Sequence, residues 1–66
     1  MEVILNGAPR MIDGPTTVAG LLDGLQLAPV RVAVEINEDL VPRKLFHQTI
    51  LEEGDRIEIV SFVGGG

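Results

Sequence analysis

The sequence finishes in Gly64-Gly65-Gly66, directly after the strand-like run Arg56-Ile57-Glu58-Ile59-Val60-Ser61-Phe62-Val63. A terminal α-carboxylate has a pKa of about 3.5, so at neutral pH it is ionised, and a chain end can present it to another protein's active site. Glycine has no Cβ and visits backbone conformations closed to other residues, which lets such a tail thread a narrow channel. The Gly66 carboxylate is therefore the candidate reactive group, with Gly64 and Gly65 as the threading residues. The competing interpretation is a frayed end or the remnant of a linker.

Other reactive side chains are few and poorly partnered. His47 is the single histidine and there is no cysteine, so a metal centre would need carboxylates gathered around one imidazole. A histidine in an exposed loop is the simpler interpretation. Glu52-Glu53-Gly54-Asp55 concentrates carboxylates, but such groups do acid–base work only when burial drives their pKa values apart, and this run reads as a solvated turn. Ser61 has no base in view, and nothing in the sequence supports a nucleophilic pairing with His47. The glycine run precedes no helix and so forms no phosphate-cradling loop.

The scaffold behind these residues is small. Sixty-six residues make one domain, and a chain of that size buries only about 60% of the surface it exposes when unfolded, too little for a large catalytic cleft. A hydrophobic content of 45% excludes intrinsic disorder, and two Phe with no Trp or Tyr predict an aliphatic core. The absence of cysteine removes disulfides and thiolate chemistry together. Ten acidic residues against five basic ones give a net charge of -5. That is the wrong sign for a phosphate-backbone binder, and aromatics for base stacking are scarce, so no nucleic acid partner is expected. The acidity either suits a partner with a basic surface or simply aids solubility. No run of about 18 apolar residues spans a bilayer, and Met1 leads straight into Glu2-Val3-Ile4-Leu5, so we expect no membrane association and a cytoplasmic location.

Val3-Ile4-Leu5, Asn6-Gly7 and Ala8 to Ile12 predict a hairpin, because Asn-Gly accepts the positive φ angles of a type I′ turn. Pro9 has no amide hydrogen and fits an edge strand. After the Asp13-Gly14-Pro15-Thr16 break, Thr16 or Thr17 caps a helix in which Val18, Leu21, Leu22 and Leu25 form one apolar stripe. Gly20 and Gly24 lie off that stripe and each costs about 1 kcal/mol in helix propensity, so the helix must dock on a sheet. Val30 to Ile36 alternates as a half-buried strand, Asn37-Glu38-Asp39 turns the chain, and Leu40-Val41 makes a short edge strand ended by Pro42. Arg43 to Thr49 reads as irregular with one helical turn. In the final strand Arg56, Glu58, Val60 and Phe62 share a face that is charged at its start and apolar near the tail. Val60 and Phe62 are thus the candidate docking patch if exposed, or are covered by other elements if not.

This element order predicts an α+β domain with one main helix packed across a mixed four- to five-stranded sheet, the order of a β-grasp. The segments Glu2-Val3-Ile4-Leu5-Asn6-Gly7, Thr17-Val18-Ala19-Gly20-Leu21-Leu22, Arg31-Val32-Ala33-Val34-Glu35-Ile36-Asn37, Val41-Pro42-Arg43, Glu53-Gly54-Asp55-Arg56-Ile57-Glu58-Ile59-Val60 and Gly64-Gly65-Gly66, in that order, resemble the ThiS family of thiamine-biosynthesis sulfur carriers. The likeness covers essentially the whole chain.

The resemblance implies a ubiquitin-like β-grasp over residues 1–63, with the last strand parallel to the first in the middle of the sheet, and a flexible glycine tail over 64–66. It implies a carrier rather than an enzyme. A ThiF-like adenylyltransferase would use ATP to activate Gly66, a persulfide donor would convert it to a thiocarboxylate, and a ThiG-like thiazole synthase would take the sulfur. ATP and any metal would belong to the activating enzyme, with no cofactor bound by this chain. Gly64, Gly65, Val60 and Phe62 would bind the partners. The small subunit of molybdopterin synthase, another sulfur carrier, a ubiquitin-like modifier joined to lysines through Gly66, and a plain interaction domain that does not need Gly65 and Gly66 are the alternatives.

Overall fold

The computed structural model describes residues 1–62. The first hairpin forms where Asn-Gly places it: β1 (Glu2–Leu5) and β2 (Ala8–Met11) pair antiparallel, with Leu5 opposite Ala8 across the two turn residues. Asn6 and Gly7 take φ values of 49° and 84°, the left-handed pair that a type I′ turn needs. Pro9 lies on β2, an edge strand, where its missing donor does no harm.

Thr17, rather than Thr16, caps the helix α1 (Val18–Gly24): its Oγ1 accepts from the Gly20 N–H at 3.1 Å. The Val18 and Ala19 N–H groups, which a helix start leaves unpartnered, donate to the carbonyls of Thr49 at 3.0 Å and Phe46 at 2.9 Å. The stretch that reads as irregular therefore seals the start of the helix. A Cβ at Gly20 would collide with the Thr16 hydroxyl, which accounts for the glycine at the cost in propensity. Val18, Leu21 and Leu22 are buried as the stripe requires, while Leu25 is half-buried just beyond the helix end.

The next strand starts later than its alternation predicts. Val30 and Arg31 lie in a 3-10 turn, Pro29–Arg31, and β3 spans Val32–Ile36. Pro29 is responsible: its fixed φ suits the first position of a helical turn, and its missing N–H is not needed there. A second two-residue turn at Asn37 and Glu38, both at positive φ, leads to β4 (Asp39–Val41). One 3-10 turn at Arg43–Leu45 follows, and the last strand, β5, spans Arg56–Ser61.

The sheet has five strands in the order β2-β1-β5-β3-β4. β5 runs parallel to β1, with Leu5 beside Ile57, and antiparallel to β3, with Val32 opposite Ser61. The last strand thus occupies the centre and the helix covers one face, the β-grasp arrangement. Val3, Val18, Leu21, Leu22, Val32, Val34, Leu51 and Ile57 build the core as an aliphatic sequence predicts, with one correction. The largest fully buried side chain among the described residues is Phe46, contributed by the irregular stretch. Among the described residues no helix is long and apolar enough to cross a membrane.

Candidate functional site

The central strand delivers the chain end. β5 alternates as its sequence predicts: Ile57 is buried and Ile59 half-buried on the helix side, while Arg56, Glu58 and Val60 face outward. Val60 and Phe62 are 60% and 57% exposed, so the apolar end of that strand is open and not covered by helix or loop. Its position is fixed on the β3 side, where Val60 stands opposite Ala33 and the Phe62 N–H donates to the Arg31 carbonyl at 2.8 Å.

Sequence reasoning singled out Val60 and Phe62 but missed their companions. Leu40, 66% exposed, lies on β4 next to β3, and Val30, 62% exposed, sits in the turn before β3. With Ala33 and Phe62 these residues line a shallow depression of about 270 Å³ that Arg43 borders. Their joining depends on strand order, which alternation within one strand does not reveal. Leu40 did carry a signal, as a large apolar residue on the outer side of a three-residue edge strand.

Behind the apolar end the same outer face is acidic. Glu35 and Glu58 stand directly opposite one another on β3 and β5, a like-charge pairing that opposes sheet formation. A face that carries exposed Val, Leu and Phe beside adjacent carboxylates is poorly optimised for a lone domain and well suited to a partner with apolar and basic side chains.

Two carboxylates of the turn before β5, Glu53 and Asp55, serve the scaffold. Glu53 Oε1 accepts from the Glu2 N–H at 3.0 Å, and Asp55 accepts from the Glu52 N–H at 2.8 Å and from Asn37 Nδ2 at 3.1 Å. They fix the turn into β5. His47 and Ser61 are both exposed. Among the described residues, no three His, Cys, Asp or Glu come together to hold a metal. Gly64, Gly65 and Gly66, the threading and reactive residues of the sequence reading, lie outside the described residues.

The model of the ThiS family matches residues 3–66. Over its full length the chain is 47% identical to a thiazole synthase of Magnetococcus marinus, but spans only 20% of that protein. It is 30% identical to the sulfur carrier protein ThiS of Escherichia coli, with 100% of both chains covered. The crystal structure of the thiamine biosynthesis protein ThiS from Geobacter metallireducens superposes with a TM-score of 0.85 at 36% identity, covering 100% of each chain.

Proposed function

The chain belongs to the ThiS family, and from that membership we propose that it carries sulfur for thiazole formation in thiamine biosynthesis, loaded as a thiocarboxylate on Gly66. The observation that carries the proposal is the central strand's exposed apolar end, Val60 and Phe62, separated in sequence from the glycines by Val63 alone. A scaffold of this kind gives partners a grip while the side-chain-free tail reaches into their active sites.

The chemistry requires partners at each step. The Gly66 carboxylate oxygen attacks the α-phosphorus of ATP on a ThiF-like adenylyltransferase, releasing pyrophosphate and leaving an acyl adenylate. AMP is a competent leaving group where oxide from a bare carboxylate is not. The terminal sulfur of a persulfide donor attacks the acyl carbon and expels AMP. A second thiol then attacks the inner sulfur of that acyl disulfide, so the donor pair is oxidised to a disulfide and the thiocarboxylate is released. ATP and its metal are held by the activating enzyme. A ThiG-like thiazole synthase is the acceptor, a choice supported by the likeness to a segment of a much longer thiazole synthase.

Intact mass after incubation with ATP, a sulfur source and the adenylyltransferase tests the reading. The expected result is a species in which one terminal oxygen is replaced by sulfur, formed only when ATP is present. An unchanged mass, or adducts on lysines of other proteins, would overturn it. The docking role of the apolar end has its own check in the kinetics of adenylation. Replacing Phe62 or Val60 by Ser is expected to raise KM for the carrier roughly tenfold, since a well-buried apolar interface anchor contributes more than about 1 kcal/mol. The far-UV circular dichroism and melting temperature should stay near those of the parent, as both side chains are exposed.

A further inference from the structure

β1 ends at Leu5, beside Ile57, so the later part of β5 has no strand on that side. One residue of the hairpin turn fills the gap. The Asn6 N–H donates to the Ile57 carbonyl at 2.8 Å, and the Asn6 Oδ1 accepts from the Ile59 N–H at 2.8 Å. The side-chain amide therefore stands in for the next rung of the β1–β5 ladder, just before Val60. Glycine would satisfy the turn's φ of 49° equally well but would leave the Ile59 N–H without this acceptor.

Asn37 is its counterpart at the other end of the strand. It occupies the same position in the second hairpin turn, at a φ of 52°, and its Oδ1 accepts from the Arg56 N–H at 3.0 Å. The two asparagines clip β5 on opposite edges, Asn37 at its first residue and Asn6 at its fourth. Only the Asn6 clip lies next to the residues that deliver the tail.

We propose that Asn6 is a positioning residue that fixes the departing end of β5, and with it Val60 and Phe62, in the direction a partner receives. The inference rests on the sulfur-carrier reading above. Losing the clip leaves that end held from the β3 side alone, so docking must order it afresh. Ordering on binding weakens affinity without changing the chemistry of the docked complex, so the effect falls on KM and not on kcat.

The test compares Asn6→Gly, Asn6→Asp and Asn37→Gly with the parent chain in adenylation kinetics, alongside amide hydrogen exchange at Ile59. Glycine keeps each turn but removes its acceptor, and aspartate tolerates the left-handed turn conformation and restores an acceptor. For Asn6→Gly we expect faster exchange at Ile59 and a KM increase of roughly 2- to 12-fold at unchanged kcat, the range set by one hydrogen bond. Asn6→Asp should return both towards the parent, and Asn37→Gly should leave KM unaltered. An unaltered KM in folded Asn6→Gly, no rescue by aspartate, or an equal rise in Asn37→Gly would each overturn the inference. If the parent chain is itself not adenylated, the sulfur-carrier reading fails and this inference with it. A parent that is adenylated beside an indistinguishable Asn6→Gly defeats the inference alone.

Discussion

Shortening the chain by Gly65 and Gly66 is expected to abolish sulfur loading while leaving the fold unchanged. Reach decides the outcome. Each extended residue adds about 3.3–3.6 Å, so the truncation withdraws the terminal carboxylate by roughly 7 Å. A displacement of about 1 Å from a reactive geometry can cost on the order of 100-fold, and 7 Å places the new terminus outside the activating site altogether. The buried core of the described residues runs from Val3 to Ile57, and the last described contact of the strand end is Phe62 with Arg31. Removing the tail takes nothing from either, so the melting temperature should move little. Intact mass and thermal unfolding on the same preparation separate the two effects. Loading of the shortened chain at the parent rate would show that the terminal glycines are not the reacting end.

How much of this was legible in the sequence depended on whether the signal was local. Asn6-Gly7 announces its turn because positive φ is a property of those residues, and the outward-facing row Arg56, Glu58, Val60 needs only the period of a strand. Pro9 marks an edge because the missing donor is its own. What crosses the chain was silent. That Asn6 also reaches Ile59, that Asn37 reaches Arg56, and that Leu40 and Val30 gather by Phe62 all depend on strand order and register. The β-grasp arrangement of strands came from the family resemblance, since element order alone does not specify which strands are neighbours. Val30 misled because a β-branched residue ahead of an alternating run looks like strand, and the helical turn set by Pro29 took precedence.

Phe46 is the clearest case of a structural role hidden in an unpatterned stretch, and replacing it should produce the largest loss of stability. It sits after the 3-10 turn Arg43–Leu45, with 2% of its surface exposed, packed into a core otherwise made of Val, Leu and Ile. Its carbonyl accepts from Ala19 at the start of α1, so the residue both fills the core and helps close the helix end. Phe→Ala in a core costs about 3–5 kcal/mol, whereas a domain of this length has a total of roughly 3–10 kcal/mol at about 0.05–0.15 kcal/mol per residue. Phe46→Ala should therefore remove about a third or more of the total stability and lower the urea midpoint in proportion. Phe46→Leu, which keeps most of the volume, should fold with a lowered melting temperature and still be loaded with sulfur, because the residue does not form the apolar end of β5. Far-UV circular dichroism with urea is the suitable measurement, since the chain has no Trp or Tyr to report by fluorescence. A Phe46→Ala chain that unfolds at the parent's urea midpoint would mean that the aliphatic side chains alone determine the stability of the sheet–helix core.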